Sequence, residues 1–359
     1  MKPFSAIIKE ARTAKNMTMM EAAHKLEMDQ GLLSKIESGK RLASRKQVNK
    51  LVKLFGLNEK EVVAQYISDK ILAEYGEDPY FLDGLLVAEQ KTGYVKKEKE
   101  MKTAGPDPQI RLLLDEIDML KAEWETIKPL SKAQLHNLGE YFDIAYTYES
   151  NRIEGNTLTM QETALVVNKG ITIGGRSMRE HLEAINHQHA IDYIKDIIHS
   201  KYKFDERLVK DIHALVLRGI DNENAGRYRD VNVRISGSRH VPSEYYKLPE
   251  LMHGYFSYYK RSKKMHPVLL AANMHEKLVT IHPFIDGNGR TARLIMNLIL
   301  LQNGYTIAII PGDDKSRFAY YDALEKIQTQ EGNTAYILFI ARQVKNSLME
   351  FIKAVKGKR

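Results

Sequence analysis

His282-Pro283-Phe284-Ile285-Asp286-Gly287-Asn288-Gly289-Arg290-Thr291-Ala292-Arg293 runs straight into an apolar segment with helical spacing that ends near Leu301. A glycine-rich loop placed directly before a helix can aim several backbone N–H groups at one point. The helix dipole adds to them, so the loop favours an anion, above all a phosphate. Asn288 adds a side-chain donor, and Arg290 and Arg293 add charge that suits phosphate oxygens. Asp286 offers an oxygen ligand for Mg²⁺, which is held by one or two carboxylates together with substrate phosphates. His282 sits just upstream, where a neutral imidazole can take a proton from an incoming hydroxyl. One short segment thus supplies a base, a metal ligand, an anion cradle and a cation clamp.

Working outward, Ser150-Asn151-Arg152-Ile153-Glu154-Gly155-Asn156 ends a helix-forming stretch, with Gly155 suited to cap it. Gly226-Arg227-Tyr228-Arg229 leads to Val231–Ile235 and His240-Val241 around a Ser236-Gly237-Ser238 turn, which predicts a small β-hairpin. Ser316–Gln328 predicts a helix carrying Tyr320, Tyr321 and Leu324 at core-compatible spacing. Other candidate chemistry falls away. His275-Glu276-Lys277-Leu278-Val279 lacks the second histidine of a zinc-protease helix, and no Gly-x-x-x-x-Gly-Lys-Ser/Thr is present. His181, His187 and His189, beside Glu183, are expected to be structural.

The string from His282 to Arg293 matches the signature of the Fic (Fido) family, His-x-Phe-x-Asp/Glu-Gly-Asn-Gly-Arg-x-x-Arg, at every specified position. The resemblance implies a helical fold and transfer of AMP from ATP to a protein hydroxyl, with Mg²⁺. Carried over, it makes His282 the general base, Phe284 a core anchor and Asp286 the Mg²⁺ ligand. Gly287, Asn288 and Gly289 become the anion hole, while Arg290 and Arg293 hold the β- and γ-phosphates. Ile235, Ser236, Gly237 and Ser238 resemble the flap that docks the target's hydroxyl-bearing segment as an extra strand. Tyr320 and Tyr321 resemble the adenine-stacking position, and Gln328 stands where relatives often carry Asn. Ser150–Gly155 fits the family's inhibitory pattern, Ser/Thr-x-x-x-Glu-Gly/Asn, 128 residues before His282. That resemblance implies that Glu154 pairs with Arg293 and diverts it from the γ-phosphate, an intramolecular brake.

The charge is unevenly spread. Residues 1–58 hold 12 Lys+Arg against 5 Asp+Glu, or +7 of the chain's net +8. Such asymmetry suggests that the N-terminal piece meets a polyanion and the rest does not. Apolar spacing predicts helices over 4–14, from Thr18-x-x-Glu21 through Leu26, from about Asp29 to Ser38-Gly39, and from about Arg45 to Phe55. Four short helices with a tight turn between the second and third make a helix-turn-helix pattern. The stretch resembles the phage lambda repressor class of helix-turn-helix domains. That implies a recognition helix near Asp29–Glu37, with Gln30, Gly31, Ser34 and Lys35 contacting DNA. Gly31 and Leu32 depart from the polar residues usual near that helix's start.

The expected architecture is therefore all-α: a helix-turn-helix bundle over 1–58, then a helical connector and linker over 59–105. Lys96–Glu100 is read as a solvated run and Thr103–Pro108 as the boundary. A helical Fic domain over 106–359 follows, with the inhibitory helix around 140–156, a catalytic core of about 205–345 and the small hairpin flap. Across 359 residues there is no cysteine, which excludes disulfide frameworks, thiolate nucleophiles and cysteine-rich zinc sites. No apolar run approaches a membrane span and no secretory signal opens the chain, so a cytoplasmic protein is expected, with no membrane partner. Expected partners are a protein substrate, which includes the chain itself, and DNA, bound as a homodimer. The rival expectation is a transcriptional regulator whose Fic domain senses nucleotide or a partner. Reversed chemistry, removing AMP, is a third.

Overall fold

A computed structural model describes residues 2–88, 107–127, 132–200, 202–329 and 332–357. The run Lys96–Glu100 and the linker residues Thr103–Pro106 lie outside the described residues. The chain divides into two compact units, Met1–Gly105 and Pro106–Arg359. The described residues form helices joined by turns and loops, with no strand.

The first unit holds α1 (Phe4–Ala14), α2 (Met19–Leu26), α3 (Gln30–Glu37), α4 (Arg45–Phe55) and α5 (Glu59–Tyr75). Capping decides the boundaries. Thr18 and Glu21 close a reciprocal capping box on α2, and Ser44 and Gln47 do the same on α4. Asp29 accepts from the Leu32 N–H to open α3, and Gly56, in a left-handed conformation, ends α4. The fifth helix falls in the stretch expected to be connector, yet it completes this core. Val62 and Tyr66 are buried, the Tyr66 hydroxyl donates to Ala43 O at 2.9 Å, and Asp69 accepts from the Phe4 N–H. Arg12 on α1 makes a forked pair with the buried Glu37 on α3, at 2.8 and 3.0 Å. Gln30, Gly31, Ser34 and Lys35 all lie exposed on α3, opposite buried Leu33 and Ile36.

The second unit holds α6 (Pro108–Ile127), α7 (Lys132–Ile153), α8 (Met160–Lys169), α9 (Met178–Ile198) and α10 (Glu206–Leu217). It continues with α11 (Leu248–Arg261), α12 (Pro267–Ile281), α13 (Asn288–Gln302), α14 (Asp314–Gln328) and α15 (Thr334–Lys356). The centre is α13, whose residues are apolar nearly all round and buried accordingly. Helices α9, α10 and α12 pack on it. On its interior Asn297 donates to Ala308 O and accepts from the Ala308 N–H, clipping the following extended chain to the helix. Long α6 and α15 lie side by side. One end of the pair shares a cluster of Trp124, Leu348 and Ile352.

The expected β-hairpin does not form ladder bonds. Residues 230–243 are a loop around a turn closed by the Ser238 N–H donating to Ile235 O at 3.2 Å. Two short strands without a third are marginal in water, and both arms here are largely exposed, so nothing enforces the pairing.

Replacing Glu37 with alanine leaves the Arg12 charge without its partner in a partly buried site. The expected cost is about 3 kcal/mol, or roughly a hundredfold faster amide exchange across α1 and α3 of the full chain. Unchanged exchange would refute the assignment of this pair as the tie between α1 and α3.

Candidate active site

The twelve-residue segment folds as a loop between α12 and α13. His282 caps α12 in a left-handed conformation, φ 52°, which is uncommon for a residue with a side chain. The imidazole is largely buried, and its Nδ1–H donates to Val279 O at 3.2 Å. That bond assigns the tautomer and leaves the Nε2 lone pair unused. Burial holds the imidazole below the ordinary histidine range. The Val279 carbonyl and Glu154 oppose that shift, while Arg229 and His240 reinforce it.

Phe284 is fully buried and stacks flat on His213 of α10, with ring centroids 3.6 Å apart. His213 accepts from the Gly226 N–H at Nδ1, and its Nε2–H donates to Asp286 O at 2.9 Å. Burial pushes His213 down to about 4, so it stays neutral and keeps both bonds. A lone histidine on the apolar face of an amphipathic helix reads as core in sequence, which is why it goes unnoticed there. Gly287 must be glycine: φ is 74°, and a Cβ would press on His213 and Val216 at 3.3 Å.

Asn288 is tied into the loop. Its amide N–H donates to Phe284 O at 2.9 Å and its Oδ1 accepts from the Phe284 N–H at 3.0 Å. Both ends of the side chain therefore shape the loop, which leaves one amide N–H of the side chain. The Gly287 N–H is also engaged, with Asp286 Oδ1 at 2.6 Å. The first intrahelical bond of α13 is Thr291 N–H to Gly287 O. The first-turn amides of Asn288, Gly289 and Arg290 precede it and have no intrahelical acceptor.

The arginines divide. Arg293 is 1% exposed and meets the end of α7: Nε–H donates to Ser150 Oγ at 2.9 Å, and Nη2–H to Ser150 O and to Glu154 Oε1 at 2.6 Å. The Glu154 carboxylate raises the Arg293 pKa despite burial. It also lies against Gly289, where an added Cβ would collide with it. Arg290 is equally buried and takes part in a ring of charges rather than facing outward. It pairs with Glu183 at 3.2 Å and with Asp286 at 3.4 Å, and Arg179 bridges the same two carboxylates. Arg290 Nε and Nη1 remain without hydrogen-bond partners. Burial opposes ionisation of Asp286, but Arg290, the Gly287 N–H and Arg179 outweigh it and hold the carboxyl below its usual range.

The tyrosines resolve as one core residue and one site residue. Tyr320 is buried, with its hydroxyl 2.9 Å from His275 Nε2. Tyr321 is half exposed and donates to Ile153 O beside Glu154. Gln328 donates to Thr280 Oγ1 at 3.2 Å, away from Tyr321. Ser236 and Gly237 are exposed at the flap tip, and Ile235 and Ser238 are half-buried.

Among the described residues no three His, Asp or Glu side chains gather to hold a metal on their own. The donor set still fits Mg²⁺ bound with phosphates: one ionised, half-exposed carboxylate, Asp286, beside the first turn of α13.

Residues 203–300 match the Fic/DOC family, and residues 6–67 match a helix-turn-helix domain. The chain carries a Fic domain behind a helix-turn-helix domain. It is similar to the protein adenylyltransferase Fic of Drosophila grimshawi, 32% identical over 76% of this chain and 58% of that one. The protein of the same name from Nematostella vectensis is 34% identical over 67% of this chain and 56% of that one. The chain thus spans little more than half the length of these curated relatives. A Fic domain containing signalling protein of Bacteroides thetaiotaomicron superposes with TM-score 0.62 at 27% identity, covering 67% of this chain and 98% of that one. C. elegans Fic-1 (residues 134–508) shares the fold, with TM-score 0.64 at 23% identity over 99% of this chain and all of that one. Among the described residues no helix is long and apolar enough to cross a membrane.

The Fic domain buries histidines in their neutral form, and stability depends on pH accordingly. His275 is pushed down to about 3 and His187 well below its ordinary value, both by burial. Each takes up a proton on unfolding near pH 6.5 and stays neutral when folded. Their contribution is therefore complete above pH 6.5 and is lost as pH falls toward the folded values. Between pH 6.5 and 5 the expected loss from His275 is about 2 kcal/mol, with a loss of the same sign from His187. Thermal melts across that range should show it, and His275→Gln should flatten the slope. A melting temperature unchanged from pH 7 to 5 would contradict the buried neutral state.

Proposed function

We propose that this chain is an autoinhibited, Mg²⁺-dependent protein adenylyltransferase whose helix-turn-helix domain binds DNA. The observation that carries the proposal is an unused imidazole lone pair at His282 on the same short loop that ends in the free first-turn amides of α13. In the proposed step His282 Nε2 takes the proton of a target Ser, Thr or Tyr hydroxyl. The oxygen attacks the α-phosphorus of ATP, the bond to the bridging oxygen breaks, and pyrophosphate leaves. The amides of Asn288, Gly289 and Arg290 stabilise the charge that grows on the α-phosphate oxygens. Asp286 would hold Mg²⁺, which neutralises phosphate charge when bound; Arg179 must release Asp286 Oδ2 for this. In this proposal Tyr321 stacks on the adenine, and Ile235–Ser238 dock the target segment. Positioning and charge neutralisation supply most of what such a transfer needs.

Glu154 acts as the brake in this proposal. Its carboxylate takes Arg293 out of service and brings negative charge to the place where phosphate must sit, repelling a triphosphate. Support comes from the 2.6 Å pair and from the contact with Gly289. With Mg²⁺ and ATP labelled at the α-phosphate, wild type should label itself or lysate proteins weakly. Glu154→Gly should label at least tenfold faster, and Glu154→Gly/His282→Ala should not label. Equal labelling by wild type and Glu154→Gly would refute the brake. No label from any variant would refute the transferase and favour AMP removal or a nucleotide-sensing regulator.

The exposed face of α3 and the +7 charge of residues 1–58 favour DNA as the partner of the first unit. Bound as a homodimer, it would read paired half-sites. Lys35→Ala should weaken binding to an operator selected from random duplexes and shallow the salt dependence by about one unit of slope. A slope equal to wild type would remove Lys35 from the phosphate contacts.

A further inference from the structure

Arg229 is only 4% exposed, yet among the described residues no carboxylate pairs with it. Its guanidinium is engaged by three main-chain carbonyls. Nε–H donates to His282 O at 2.8 Å, Nη1–H to Val231 O at 2.9 Å and Nη2–H to Ser243 O at 2.5 Å. Its own backbone N–H donates to Pro283 O at 2.9 Å. Val231 and Ser243 are the two feet of the flap loop, and His282 is the residue held at positive φ.

We propose that Arg229 is a positioning residue that clamps both feet of the flap to the main chain of His282, so that docking a target segment and aligning the base are one event. The inference rests on the transferase proposal for its chemistry, but the clamp itself is a matter of geometry. Without ladder bonds, the feet are bridged by Arg229 and by the Tyr245 N–H donating to Asn232 Oδ1 at 3.0 Å, and of these two only Arg229 reaches His282. Two other ties near its tip, Arg239 to Glu325 and His240 to Thr280 O, both lie beyond the turn. A target strand that adds to the flap pulls on residues already bonded, through one rigid planar group, to the carbonyl of His282. Three fixed directions are needed, and a guanidinium supplies them while an ammonium does not. Three neutral carbonyls compensate a buried cation poorly, and burial alone pushes Arg229 below its ordinary value. Packing would be served as well by an apolar side chain, so the cation is better explained by what it aligns.

The groups facing the His282 imidazole are Arg229, Glu154 and His240, beside the Val279 carbonyl. Removing the Arg229 charge should therefore let His282 hold its proton to higher pH, while a lysine should not.

The test uses the full chain as wild type, Arg229→Lys and Arg229→Met. In hydrogen exchange, residues 230–243 and 279–284 should both exchange about tenfold faster or more in either variant, with α6 and α15 unchanged. Faster exchange in the flap alone, with 279–284 as in wild type, would overturn the clamp. By NMR the His282 titration should move to higher pH in Arg229→Met and stay in place in Arg229→Lys; equal curves in all three would also overturn it. In the Glu154→Gly background, self-labelling should fall about tenfold or more in both variants. Its acid limb should shift upward in pH only with methionine. Labelling within about twofold of the parent would overturn the positioning role. If the Glu154→Gly parent transfers no AMP, the transferase proposal fails by itself, and exchange and NMR still decide the clamp.

Discussion

A guanidinium buried to 1% exposure has to be neutralised and saturated with acceptors, and Arg293 imposes that demand on everything around it. Its acceptors all come from the end of α7: the hydroxyl and carbonyl of Ser150 and the carboxylate of Glu154. The end of α7 must therefore sit at the first turn of α13. Asn151 and Asn156 hold it there, donating to Thr147 O and to Glu180 and Glu183 of α9. The same Glu183 pairs with Arg290 one turn away on α13. One buried charge thus fixes the mutual placement of three helices and brings Glu154 to the first turn of α13.

The loop before α13 is built on a second constraint, which is that its backbone has to reverse direction while buried. Buried amides and carbonyls need partners, and the side chains of Asn288, Asp286 and His213 provide them for Phe284, Gly287 and Asp286. Residues that a chemical reading assigns to the substrate are in part occupied with holding the loop open. The amides that remain free are those the helix geometry cannot satisfy, and they line up at one end of α13 because the loop is held as it is. Binding capacity here follows from leftover main-chain donors more than from side chains.

Much of this is legible in the sequence because it is local. Thr18-x-x-Glu21 is a capping box at any helix start, and Gly56 ends α4 wherever a left-handed cap is needed. The His282–Arg293 segment carries its order in eight fixed positions, so the residue string alone locates the site. What escapes is non-local. Nothing in residues 59–75 says that Tyr66 will reach Ala43 and make the connector part of the first core. Tyr320 and Tyr321 have equal apolar spacing, and only the buried hydroxyl partner His275 separates them. His213 and Arg229 look like an ordinary core residue and an ordinary basic one, since their partners are main-chain atoms 73 and 53 residues away that carry no sequence signature. The hairpin fails for the opposite reason: its local pattern favours strands, but no third strand is present among the described residues to stabilise the pairing.

The two ends of the Glu154–Arg293 pair differ in a way that suits a reversible brake. Arg293 is buried and bonded twice to Ser150, through contacts separate from its pair with Glu154. Glu154 is about one-third exposed, lies just beyond the last turn of α7 and is followed by Gly155 at φ 96°. Water can therefore take over its solvation as it leaves, at a cost far below that of freeing a fully buried charge. Departure of the carboxylate leaves Arg293 with an open donor directed at the same space as the free amides of Gly289 and Arg290. In the proposed reaction a triphosphate entering there would satisfy the group that Glu154 abandons. Release of the proposed brake and binding of phosphate would then draw on one unpaired cation, and competition between two anions for it would set the balance between resting and active states.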